Sequence, residues 1–159
     1  MKKKFAQIIA LVSCLVLCFA MLGCSSDNGE DAQEAQKNRT YMSQLNTATE
    51  TLNEKLDAFS EAASEGDLVK MRTGAQKVTA VIDEIRGYEV PDTLKDISAK
   101  YLEGFDSLES AMGAYIALYE DIESGRNVDA KDKLKDIQIE YDKGIAALQE
   151  ADAQAKELK

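Results

Sequence analysis

Apolar residues recur every three or four positions along most of this chain, with polar residues filling the faces between them. Tyr41, Leu45, Ala48, Leu52, Leu56, Phe59 and Ala63 keep that step and mark one face of a helix from about Asn38 to Ser64. Glu65-Gly66-Asp67 interrupts it. Gly66 suits a left-handed helix end, and Asp67 suits the N-cap of a second helix. Leu68, Met71, Ala75, Val78, Ile82 and Ile85 line that helix, which runs from Leu68 to about Arg86. Pro91 breaks the pattern again, because it pushes Val90 out of the helical region and can itself open a helix.

A third stripe consists of Leu94, Ile97, Tyr101, Phe105, Leu108, Met112, Tyr115, Tyr119 and Ile122, over a helix from about Asp92 to Glu123. Its mean step of about 3.5 residues is that of a left-handed bundle seam, and Leu102 and Ile116 widen the face. Ser124-Gly125-Arg126-Asn127 forms the next turn. Leu134, Ile137, Tyr141, Ile145, Leu148, Ala151, Ala155 and Leu158 then line a fourth helix from about Asp129 to Leu158. No stretch alternates with period two over a strand's length. The pattern predicts an all-α fold, an antiparallel four-helix bundle over residues 38–159. Both halves read as helix, glycine turn, aspartate, helix, which suggests two packed hairpins.

Ahead of the bundle the pattern changes twice. Ser25 to about Lys37 is polar and small, with only Ala for apolar content, and reads as a tether spanning residues 24–37 with Cys24 at its head. As a flexible coil it would reach roughly 20 Å. Asp31-Ala32-Gln33-Glu34-Ala35-Gln36 favours helix, so the first helix can begin early and frayed. Before the tether, Lys2, Lys3 and Lys4 precede an apolar run from Phe5 to Leu22, polar only at Gln7 and Ser13. A basic start, an apolar middle and a small residue before the break form an export signal. The run is about 18 residues, the lower limit for a transmembrane helix.

The ending of that run, Met21-Leu22-Gly23-Cys24, resembles the lipobox of bacterial lipoproteins, in which a small residue precedes a cysteine. The resemblance covers this segment and no motif after it. It implies that residues 1–23 are a cleaved signal peptide, that the Cys24 thiol receives a diacylglycerol, and that Cys24 becomes the first mature residue. Met21 departs mildly from the usual Leu. Leu11-Val12-Ser13-Cys14 also matches the motif, but cutting there would shorten the apolar core to about eight residues and leave Leu15 to Leu22 dangling. Cys18 follows Leu17, too large for a cut site. An uncleaved signal anchor is the other alternative. A lipid-modified Cys24 would hold the chain to the membrane without a span, since buried acyl chains contribute about 0.8 kcal/mol per CH₂ and two chains anchor stably. The implied location is a bacterial cell membrane, with the domain on the extracytoplasmic side.

Composition narrows the chemistry. All three Cys lie at or before residue 24, so the domain holds itself by packing without disulfides. Removing residues 1–23 takes three Lys and no acid, leaving 16 Lys+Arg against 29 Asp+Glu, about −13. Such a surface disfavours nucleic acid and anionic lipid and could attract cationic peptides or metal cations. The sequence has no His. That removes the di-iron Glu-x-x-His site and imidazole-dependent nucleophiles, and the Cys pattern supports no zinc cluster. No Gly-rich phosphate loop appears, and a calcium site at Asp27, Asn28, Glu30 and Asp31 lacks the required spacing. Asp83-Glu84 and Glu120-Asp121-Ile122-Glu123 lie beside the stripes, as solvated faces do.

The expectation is therefore a non-enzymatic, cofactor-free module, anchored at Cys24, that binds a protein or envelope component. The alternative is a small-ligand binder with a cleft between helices, with Tyr115 and Tyr119 as polar handles near Met112 and Phe105. Gly74, Gly104, Gly113 and Gly144 inside helices, each costing about 1 kcal/mol against Ala, mark close helix approach, a kink or room for a ligand.

Overall fold

Two glycine turns divide the helical sequence into hairpins, and both turns are built alike. Gly66 adopts φ 74° and Gly125 φ 71°, the left-handed region that costs glycine little. After the first helix, the Asp67 N–H donates to the Ala62 carbonyl at 3.0 Å and the Gly66 N–H to Ala63. After the third, the Arg126 N–H donates to Asp121 at 3.0 Å and the Gly125 N–H to Ile122. These bonds satisfy carbonyls that a helix end leaves unpaired. The following helices are capped by aspartates: Asp67 accepts from the Lys70 N–H at 2.9 Å, and Asp129 from those of Lys131 and Asp132.

The computed structural model describes residues 29–157. They form α1 (Gly29–Glu65), α2 (Leu68–Arg86), a short 3-10 turn (Asp92–Leu94), α3 (Lys95–Glu123) and α4 (Ala130–Glu157), with no strand among the described residues. The fold is an antiparallel four-helix bundle in which α1 pairs most closely with α2, and α3 with α4. No helix among the described residues is long and apolar enough to cross a membrane. The expected signal peptide 1–23, Cys24 and Leu158 lie outside the described residues.

Within each hairpin, glycine lets the backbones meet. A Cβ on Gly144 of α4 would lie 2.9 Å from the Gly104 carbonyl oxygen of α3, closer than such atoms come. A Cβ on Gly74 of α2 would lie 3.2 Å from the Phe59 Cα of α1. Large side chains join the hairpins: Tyr41, Leu45 and Leu52 from α1, Val78 and Ile82 from α2, and Tyr101 and Phe105 from α3, all essentially inaccessible to solvent. A smaller cluster at the glycine-turn end gathers Ala62, Ala63, Met71 and Tyr115, flanked by Phe59, Tyr119, Leu134 and Ile137. Arginines bridge α2 to α3, Arg72 to Glu120 at 2.7 Å and Arg86 to Asp106 and Glu109 at 2.6 and 2.7 Å. Exposed pairs of this kind contribute about 0–1 kcal/mol each, so the apolar contacts carry the docking.

Two boundaries differ from expectation. Residues 29–37, assigned to the tether, are helical. Ala32-Gln33-Glu34-Ala35-Gln36 are strong helix formers, and once Tyr41 is packed, each added turn extends a helix already nucleated. Ile122, expected in the apolar stripe, is 50% exposed. It shares the buried face of α3 but lies beyond Tyr119, whose hydroxyl already covers the Gly66 turn that ends α1.

The glycine contacts make a paired prediction. Gly144→Ala should destabilise the bundle by about 1–3 kcal/mol through overpacking against the α3 backbone. Gly113→Ala, where an added Cβ meets nothing within 4 Å, should stabilise it by about 0.5–1 kcal/mol. Urea unfolding of the two variants beside the parent measures both signs.

Candidate functional site

The four residues expected around an interhelical cleft fall into two packed clusters. Phe105 is fully buried in the larger core and stacks on Tyr101, with ring centroids 6.3 Å apart. Met112 is buried in the same cluster. Tyr115 belongs to the smaller cluster, edge-on to Phe59 at 6.4 Å and tilted against Tyr119 at 5.8 Å. Tyr115 and Tyr119 are therefore brought together, while Phe105 and Met112 pack elsewhere. Burial, with Tyr119 adding to it, pushes the Tyr115 hydroxyl up to about 12, so it stays protonated near neutral pH. Gly113, beside Met112, opens onto solvent rather than onto a ligand space.

The dense carboxylate groups serve the surface. Asp83 pairs with Arg86 at 2.6 Å, Glu84 accepts from the Tyr88 hydroxyl at 2.9 Å, Glu120 pairs with Arg72, and Asp121 with Arg126. Among the described residues no group of three or more His, Cys, Asp or Glu side chains could hold a metal ion.

One carboxylate behaves differently. Asp152 of α4 is only 8% exposed and accepts a hydrogen bond from the Tyr101 hydroxyl of α3 at 2.5 Å. Desolvation raises the Asp152 pKa, against the lowering effects of the Tyr101 bond and the Lys156 charge. Burial and the same carboxylate drive the Tyr101 hydroxyl far above its ordinary value. The pair ties α3 to α4. A signal for it was present in the sequence: Asp152 follows Leu148 by four positions and precedes Ala155 by three, on the apolar face itself.

The interior offers little space. A void of about 10 Å³ between α1, α3 and α4 is lined by Leu52, Leu56, Phe105 and Tyr141 among others. The Tyr141 hydroxyl and the Asn46 Oδ1 atom are buried with no hydrogen-bond partner. The larger hollow is on the outside. An open groove of about 690 Å³ runs between the first turns of α1, from Gln33 to Gln44, and the segment Gly87 to Asp92 that links α2 to the 3-10 turn. The Thr93 hydroxyl donates to Asn38 Oδ1 at 3.1 Å and ties that segment to α1. Tyr41 forms the groove floor and is otherwise buried. Sequence reasoning missed the groove because it placed residues 33–37 in a tether. Helix propensity was the only signal, and propensity does not say what a helix lies beside.

Comparison with protein-family models, with curated proteins and with solved structures finds no match to this chain.

The Tyr101–Asp152 pair makes its own prediction. Tyr101→Phe removes the donor and leaves a buried carboxylate unbonded, which should cost about 1–3 kcal/mol. Asp152→Asn keeps an acceptor and removes the charge. Because the folded-state pKa of Asp152 lies above the ordinary 3.8, its contribution to stability is fully present below that value and is lost as pH rises through the folded-state value. The stability of Asp152→Asn relative to the parent should thus increase as pH rises above about 3.8 and then level off. Urea unfolding of both proteins across a pH series reads this difference, in which the other carboxylates cancel.

Proposed function

We propose that this chain is a lipid-anchored protein of the bacterial cell envelope, whose helical bundle is a non-catalytic module that binds a protein or another envelope component. The observation that carries the anchoring is Met21-Leu22-Gly23-Cys24 at the end of a basic-then-apolar leader. In this account residues 1–23 are removed, Cys24 bears a diacylglycerol, and the bundle stands on the extracytoplasmic side of the membrane.

Several features support an interaction role. The core is filled by Tyr, Phe, Leu and Ile side chains, and the void between α1, α3 and α4 holds about 10 Å³, whereas small-molecule sites span roughly 300–1,000 Å³. The buried Asp152 carboxylate is bonded to the Tyr101 hydroxyl of the neighbouring helix. The space for a partner lies on the surface, beside α1. The alternative of a ligand cleft at Tyr115 and Tyr119 draws no support from the ring packing there.

Cys24→Ala tests the anchoring. Expressed in a bacterial host fed a labelled fatty acid, the parent should carry label and sediment with membranes, with a mature amino terminus at residue 24. The variant should lose the label and keep its leader. Label retained on Cys24→Ala, or a parent without label, overturns the anchoring.

A further inference from the structure

We propose that the groove between the first turns of α1 and the α2–α3 link binds an extended peptide segment bearing lysine or arginine, supplied by the partner protein. This deepens the function proposed above and rests on its interaction reading.

The geometry suits an extended chain. The α1 wall comprises positions 33, 34, 36, 37, 40, 41 and 44, which together make up one broad helical face. From Gln33 to Gln44 that face runs about 16 Å, the length of about five residues of extended backbone. The opposite wall is Tyr88 to Asp92. A long, open trough of this form buries a strand along one side. It lacks the enclosure that covers most of a small ligand's surface.

The chemistry selects the sign of charge. Glu34 on α1 and Glu89 on the link stand on opposite walls, and neither has an ion-pair partner among the described residues. Asp92 is already paired with Lys95 at 2.5 Å, and Lys37 adds to the charge near it. The two unpaired carboxylates are thus the groups left to meet a cation. Tyr88 lines the link wall, held by its hydrogen bond to Glu84, and offers an aromatic surface to a lysine stem or a guanidinium. Gln33 and Gln44 carry both donors and acceptors, as peptide N–H and C=O groups require. The net charge of −10 over the whole chain draws cationic segments toward the domain and opposes anionic lipid and nucleic acid.

The test uses the full chain and a fluorescein-labelled Ala-Lys-Ala-Lys-Ala peptide, followed by anisotropy at about 0.15 M salt, where distant charges are largely screened. The parent should bind saturably. Glu34→Gln with Glu89→Gln should weaken binding three- to tenfold, on the order of two exposed charge contacts. Both side chains are exposed, so thermal melting should be unchanged. Asp57→Asn with Glu61→Gln removes the same charge from the far half of α1 and should change binding less than about twofold. Equal weakening by the two pairs would mean bulk charge alone and overturn the site. So would parent-like binding by the groove pair, no binding by the parent, or equal affinity for an Ala-Glu-Ala-Glu-Ala peptide. Spermidine displacing the peptide at equal charge concentration would also overturn the peptide assignment. A partner crosslinked to the domain at a surface other than the groove would overturn the groove and leave the interaction role standing. A chain that crosslinks to no partner while still binding the peptide would do the reverse.

Discussion

Backbone contact at Gly104 and Gly144 is the constraint on which the rest of the bundle depends. Helices in most bundles are held apart by side chains, with axes 8–10 Å from each other. Here a carbonyl oxygen of α3 lies 2.9 Å from where α4 would carry a Cβ. That proximity sets the register of the second hairpin and brings Tyr101 opposite Asp152, so that a buried carboxylate finds its donor. Gly74 against Phe59 does the same for the first hairpin with a looser contact. Small residues therefore set the distances inside each hairpin, and large ones fill the space between the hairpins.

This division explains what the sequence revealed and what it hid. Helix positions were legible because apolar spacing reports a buried face directly, and α2 runs from Leu68 to Arg86 as expected. The turn at Gly66-Asp67 was legible for the same local reason, since a left-handed glycine and an aspartate cap each need only neighbouring residues. The interior glycines were ambiguous. Close approach and open space look alike in a sequence, and only the neighbouring helix separates Gly144 from Gly113. The tyrosines were ambiguous likewise: Tyr115 and Tyr119 could have faced a cleft or one another, and they face one another. Ile122 continued the stripe in sequence but is half exposed, beyond Tyr119 at the end of α3.

Functional possibilities shift outward as a result. The core spends its aromatic rings on packing and the buried carboxylate of Asp152 on a helix-to-helix bond. Under the proposed interaction role, recognition falls to the outer surface, where acidic side chains outnumber basic ones and where α1 runs beside the α2–α3 link. The strongest features on that surface are electrostatic and polar, which suits selective but reversible association better than obligate assembly.

The early start of α1 has a mechanical consequence. A coil lets a domain tumble about its attachment point, whereas helix transmits orientation. From Gly29 to Tyr41 the chain rises about 18 Å as a stiff rod, and only Ser25 to Asn28 separate that rod from Cys24. A body moored at Cys24 would be joined to its anchor by the four residues 25–28 instead of about thirteen, and would stay closer to the membrane. The groove, which begins at Gln33, would then lie near the anchored end of the chain, within reach of the juxtamembrane arm of a protein in the same bilayer.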